Sequence, residues 1–277
     1  MNDAERERRI RTFQALHESG CFILPNPWDV GSAMYLEKQG FKALATTSAG
    51  FAFSKGLPDS ISALTKDAVV AHLAEIVAAT SLPVNADFQN GYADAPDEVA
   101  ENVKLCLKTG VSGLSIEDAT GDSGNPLYDK RLAVKRIRAA RSAIDATGLP
   151  VVLTARCEGW LVDPECPASD VIDRLVAYAD AGADCLFAPG ARDIDRIKEI
   201  VRAVAPKPVN VIVSAPGPGL TLSHLSQIGV RRISVGSALA RVAWRAFMQA
   251  VHDISATGHF DALSEAASFK ELNRIFE

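Results

Sequence analysis

Four polar residues sit where short apolar runs end: Asn85 and Asp87 in PVNAD, Glu117 in SGLSIE, and Arg156 just after PVVLTA. If these runs are successive strands of one parallel sheet, Asp87 and Glu117 close adjacent strands at the same edge. Neighbouring strands lie about 4.8 Å apart. Two carboxylates that close repel each other unless one is protonated or a cation lies between them. A hard divalent cation bound through oxygen and keeping several waters fits such a pair. Asn85, two residues before Asp87, faces the same side of its strand and can add an amide oxygen. Arg156, one strand further on, carries a fork that matches a carboxylate or phosphate through two parallel hydrogen bonds. Its other use is a buried ion pair with Glu117. None of the five histidines (His17, His72, His224, His252, His259) falls at a strand end. That argues against imidazole-bound zinc or iron and against histidine as general base.

The elements that must position these groups recur along the whole chain. Apolar or β-branched runs occur at 21–25, 42–46, 83–87, 112–117, 150–155, 183–188, 208–213 and 231–235. Between most of them the apolar residues recur at three- and four-residue spacing, as in 97–109, 133–147, 169–181 and 193–204. Alternation of this kind builds βαβ units and a parallel sheet, and eight strands predict closure into a (β/α)8 barrel of the TIM type. Gly40, Gly110, Gly182 and Gly229 precede strands two, four, six and eight, where a left-handed C-cap turns a helix back to the sheet. Pro83, Pro150 and Pro208 open strands three, five and seven. We expect one domain over 1–277, with extra helices at 4–18 and 263–275. Two longer interruptions, 49–65 and 119–130, read as βα loops over the active face and candidate lids. Barrel enzymes carry their chemistry at the C-terminal strand ends. Those positions add Asn26, Asp29, Ser48, Pro189, Ser214, Gly236 and Ser237, with Asp118 expected as a helix cap and Cys157 facing outward.

The bulk properties exclude several classes. The 277 residues are 48% hydrophobic and 23% charged, with a net charge of −5. No basic surplus points to nucleic acid or an anionic membrane. The five cysteines are widely spaced, with no C-x-x-C, which argues against a disulfide framework and a structural zinc site. The charged N-terminal stretch lacks an apolar signal core, and no apolar run is long enough to span a bilayer, so a cytoplasmic protein is expected.

Six segments carry a family resemblance: LPNPWDVGSA (24–33), ALATTSAGFAFSKGLPD (43–59), LPVNADFQNGYAD (82–94), GLSIEDATGDSGNPLYD (113–129), LTARCEGW (153–160) and GVRRISVGSAL (229–239). Through them the chain resembles the isocitrate lyase / phosphoenolpyruvate phosphonomutase superfamily, in its PEP-mutase-like branch. The resemblance implies a barrel with Mg²⁺ (or Mn²⁺) near the strand ends and chemistry passing through the enolate of a 2-oxo acid. Asp87 and Glu117 match metal-site carboxylates, and Asp59 matches an acid that holds a metal-bound water. Arg156 matches the substrate-carboxylate arginine. Ser48, Ala49 and Gly50 match a turn offering donors to the substrate, and Asn125 falls near a substrate asparagine. The resemblance also implies a homo-oligomer, a dimer or tetramer, with a C-terminal helix exchanged between copies.

The departures are informative. The 119–130 loop has neither the cysteine nor the histidine of isocitrate and methylisocitrate lyases, nor the lysines of phosphonomutases. The position of a direct aspartate ligand holds Asn85, which predicts weaker metal binding. The expectation is a Mg²⁺-dependent lyase that cleaves a C–C bond of a small 2-oxo or 2-hydroxy acid, by decarboxylation or a retro-aldol step. A phosphonomutase or phosphonopyruvate hydrolase stands as an alternative, as does a weakly catalytic barrel that binds a 2-oxo acid.

Overall fold

The computed structural model describes residues 1–277. Helix α1 spans Asp3–Leu16, followed by β1 (Phe22–Leu24), α2 (Val30–Lys38), β2 (Leu44–Ala45), α3 (Ser48–Ser54) and α4 (Lys66–Ala78). Then come β3 (Val84–Asp87), α5 (Pro96–Lys108), β4 (Gly113–Glu117), α6 (Lys130–Asp145), β5 (Val152–Arg156), α7 (Gly159–Val162) and α8 (Ala168–Asp180). The chain continues through β6 (Cys185–Phe187), α9 (Ile194–Ala203), β7 (Val209–Ile212), α10 (Leu222–Gln227), β8 (Arg232–Ser234), α11 (Ala238–Thr257) and α12 (Phe269–Phe276).

All strand pairings are parallel, in the order β1-β8-β7-β6-β5-β4-β3-β2. The Ala45 N–H donates to the Pro25 carbonyl at 3.0 Å across the remaining gap. The result is the expected (β/α)8 barrel. Every predicted strand is present, and Gly40, Gly110, Gly182 and Gly229 all adopt positive φ. Pro96 at the start of α5, with Asp97 and Glu98 in its first turn, suits a helix N-terminus. The same helix buries Val99, Val103, Cys106 and Leu107 on one face. The barrel floor is sealed by Phe13 of α1, packed with Phe22, Leu24, Ala43, Ala45, Val152 and Cys185.

Three expectations need correction. The interruption after β2 opens with a helix, because Thr47 accepts the Gly50 N–H at 3.2 Å and caps α3. The predicted 263–275 helix is broken: a 3-10 turn spans Asp261–Glu265, and Ser268 then starts α12 with a capping box to Glu271. Asp118 caps no helix along its own strand connection. It instead accepts the Glu158 N–H at 2.8 Å and the Tyr178 hydroxyl at 2.5 Å, and pairs with Arg174 at 3.2 Å. The 119–130 segment is irregular apart from a bridge between Ala119 and Leu127.

Candidate active site

Strand register brings Asp87, Glu117 and Arg156 to one end of the barrel, Glu117 being the direct partner of Arg156. Arg156 Nη1 lies 2.8 Å from Asp87 Oδ1 and 3.2 Å from Glu117 Oε2. Its Nε and Nη2 each lie 2.9 Å from Glu158 Oε1. The cation that two crowded carboxylates require is therefore supplied by the chain itself. The Ser48 N–H and hydroxyl both donate to Asp87 Oδ2 at 2.9 Å, and the Asp87 N–H donates to Thr46 Oγ1 at 2.9 Å.

Three carboxylates surround one guanidinium, and the electrostatics follow. Burial pushes Glu117 up to about 8 despite the opposing pull of Arg156, with Glu158, Asp87 and Asp118 raising it further. Burial likewise raises Glu158. For Arg156, burial is outweighed by Glu158, Glu117 and Asp87, which hold its charge firmly. Asp59 is raised by burial and by Asp87, against Arg156, although the residue as a whole remains exposed.

A cavity of about 660 Å³ opens at this end. Ser48, Ala49, Asp59, Asn85, Asp87 and Arg156 line it. Asn85 and Asp87 share a side of β3, as predicted. Glu117 does not face this cavity but a small void shared with Arg156. Asn125 lies exposed on the 119–130 loop and lines neither. No histidine or cysteine lines the cavity, and Cys157 is buried away from it. Of the Ser48–Gly50 donors, Ser48 is spent on Asp87 and Gly50 on Thr47, which leaves only the Ala49 N–H without a partner in the chain. Gly50 has a packing role as well: a Cβ there would come within 2.7 Å of Thr47 Cγ2 and 3.0 Å of Trp28 Cβ.

No three His, Cys, Asp or Glu side chains converge to hold a metal ion directly. Mg²⁺ commonly needs only one or two carboxylates and keeps its waters. The donors here are all oxygen, three carboxylates share a single guanidinium, and the buried Asn85 Oδ1 has no partner. These features fit a hydrated divalent cation in donor type and charge.

Sequence reasoning missed several supporting residues. Arg136 of α6 is buried, donates to the carbonyls of Asn90, Ala93 and Asp94, and sits over the Tyr128 ring. It thereby locks the 89–94 loop behind Asp87, where Gln89, Gly91 and Tyr92 all have positive φ. Its position on the buried face of α6, between Ala133 and Ile137, was the readable signal. Glu158, two residues after Arg156, was equally visible. Arg192, Arg232 and Arg241, which also line the cavity, lay outside the strand-end rule or behind it.

An eight-stranded parallel barrel with an acid–arginine cluster at its strand ends defines a class, and the comparisons narrow it. Residues 13–255 match the phosphoenolpyruvate phosphomutase family model. The chain belongs to that family, within the isocitrate lyase / PEP mutase superfamily. A Burkholderia cenocepacia structure described as a lyase or mutase is 47% identical, covers 99% of this chain and 97% of its own, and superposes with a TM-score of 0.94. The structure of 2,3-dimethylmalate lyase is 26% identical over 98% of this chain and 94% of its own, with a TM-score of 0.84. The chloroplastic carboxyvinyl-carboxyphosphonate phosphorylmutase of Arabidopsis thaliana is 26% identical over 97% of this chain and 81% of its own.

Proposed function

We propose that the protein is a carbon–carbon lyase acting on a small 2-oxo or 2-hydroxy carboxylic acid. The observation that carries this reading is the Arg156 guanidinium, fixed by three carboxylates at the wall of the cavity. A preorganised cation aimed at developing negative charge needs no rearrangement during the reaction. In a 2-oxo acid that loses its far carboxylate as CO2, the electron pair of the breaking C–C bond moves toward the 2-oxygen as an enolate, later protonated from water, and Arg156 faces that charge. The Ala49 N–H is a further donor for the substrate carboxylate. Ser48 positions Asp87 rather than the ligand. Asp59, Asp87 and the amide oxygen of Asn85 would hold Mg²⁺ or Mn²⁺, with Glu117 behind Arg156 helping to fix the guanidinium. Such a cation supplies Lewis acidity toward the substrate oxygens. Asn125 is left without a substrate role.

A second reading, phosphonate or phosphoenol chemistry, draws on the β6–β8 side of the cavity. Arg192 and Arg241 line it without an ion pair, beside Pro216–Pro218 of the Gly-rich loop. Turnover of a panel of four-carbon 2-oxo and 2-hydroxy diacids, with phosphonopyruvate alongside and Mg²⁺ present, separates the readings. Two carbon products support the lyase. Turnover of phosphonopyruvate alone supports the second reading. Tight binding with no turnover anywhere indicates a binding barrel.

No helix is long and apolar enough to cross a membrane. All five cysteines are free, the state a reducing cytoplasm maintains, and we assign the protein there. We also propose that it is a homo-oligomer, dimer or tetramer. Of the 20 residues in α11 only Ala240 is buried, while Val242, Phe247, Met248 and Val251 are exposed. Within the single chain α12 packs on α2, so closely that a Cβ added at Gly31 would meet the Phe276 ring at 3.5 Å. Sedimentation at micromolar concentration tests the assignment, and a monomer contradicts it.

A further inference from the structure

The lower cavity contains a charge with no counter-charge. Arg232 of β8 is only 2% exposed and lines the cavity. Its Nε donates to Asn210 Oδ1 at 2.8 Å, its Nη2 donates to Thr154 Oγ1 at 2.9 Å, and its Nη1 lies 3.3 Å from His17 Nε2. All three partners are uncharged. The His17 Nδ1–H donates to the Phe13 carbonyl at 2.8 Å, so Nε2 presents its lone pair to the guanidinium. Burial, together with the charge of Arg232, pulls His17 down to about 3, so the ring is neutral at any ordinary pH. No carboxylate acts on Arg232, and burial lowers its pKa.

The contrast with the other shielded arginines is sharp. Arg156 has three carboxylates, Arg9 has Glu5 and Arg174 has Asp118. Arg136 is surrounded by backbone carbonyls. A buried charge without compensation is strongly destabilising. A guanidinium carries five N–H donors, and Arg232 has committed three. Ser115 and Ser234, two further polar side chains, line the same cavity.

We propose that the cavity floor is a binding site for a small monoanionic group, held by the two uncommitted N–H groups of Arg232. The group is either a free halide or the far carboxylate of a bound acid. The site is separate from the Arg156 cluster, and it stands whatever reaction the barrel performs.

The test uses the full chain crystallised and soaked in sodium bromide, with anomalous scattering at the bromine edge. It is paired with thermal unfolding against bromide concentration for the wild type and Arg232→Met. The expected results are a bromide peak in contact with the Arg232 guanidinium and a saturable rise in midpoint. That rise should be roughly 5 °C at a hundred times Kd and absent from Arg232→Met. Adding succinate distinguishes the sources. Loss of the peak makes the anion the ligand's far carboxylate, and its survival makes it a free ion. If Arg232→Met does not fold, the wild-type crystal still decides. Bromide found only at surface cations, or a wild-type midpoint without a saturable bromide response, overturns the proposal.

Discussion

Replacing Arg156 with glutamine removes the one cation from a cluster of three carboxylates. The side chains of Asp87, Glu117 and Glu158 are 16%, 9% and 6% exposed, so water cannot take over the role. Breaking a buried ion pair from one side costs about 3–5 kcal/mol. Glutamine keeps a donor for one of the carboxylates, so the lower end, about 3 kcal/mol, is expected at pH 8. At a few degrees per kcal/mol, the midpoint falls by roughly 6–8 °C. The deficit should depend on pH. Glu117 and Glu158 already have raised folded pKa values. The stability such groups contribute is fully present below their unfolded value near 4.5 and is lost as pH rises through the folded value. Without Arg156 those folded values climb further, so the loss at pH 5.5 should be about half that at pH 8. Urea or thermal denaturation in EDTA, at both pH values, measures this. A deficit under about 1 kcal/mol at pH 8, or one equal at the two pH values, would refute the clamped-cation account.

Further outcomes follow from single contacts. Wild-type stability in EDTA should fall as pH rises from about 4.5 to about 8, where folded Glu117 keeps a proton that the unfolded chain has lost, and level off above that, whereas Glu117→Gln should give a flatter curve across that range. Equal slopes in thermal melts would remove Glu117 as the titrating group. Asn85→Asp buries a carboxylate without a partner and should cost about 1–3 kcal/mol without metal, yet it should respond more strongly than wild type to millimolar Mg²⁺. An equal response would take Asn85 out of the metal set. A Cβ at Gly113 would come within 2.6 Å of Phe13 Cε1, 2.8 Å of Asn85 Oδ1 and 3.0 Å of the Val152 carbonyl. Gly113→Ala should therefore cost about 1–3 kcal/mol, and an unchanged urea midpoint would show that the floor can yield.

The barrel was legible because its punctuation is local. A glycine C-cap or a proline before each strand from the second to the eighth, and the 3.6-residue period between strands, depend on neighbours in sequence. The residues at the strand ends were legible for the same reason, since register follows from counting along each strand. What the neighbours do to one another was not. Whether Arg156 meets a ligand or bridges Asp87 and Glu117 depends on side-chain reach across strands. That the Ser48 donors are consumed by Asp87 depends on the tilt of α3, a helix set by the cap at Thr47. The C-terminal break at Ser268 was present as a capping box, S-x-x-E, but the apolar spacing on either side concealed it. Arg232 opens β8, at the end opposite the C-terminal strand ends where the search looks.

Thermal unfolding with oxalate, with and without Mg²⁺, addresses the central claim most directly. Oxalate presents two coplanar chelating oxygen pairs and stands in for a 2-oxo-acid enolate. At a hundred times Kd it should stabilise by about 2.7 kcal/mol, a rise of roughly 5 °C, and only when Mg²⁺ is present. No shift under either condition, or the same shift in EDTA, would contradict a metal-assisted 2-oxo-acid site at Asp87 and Arg156.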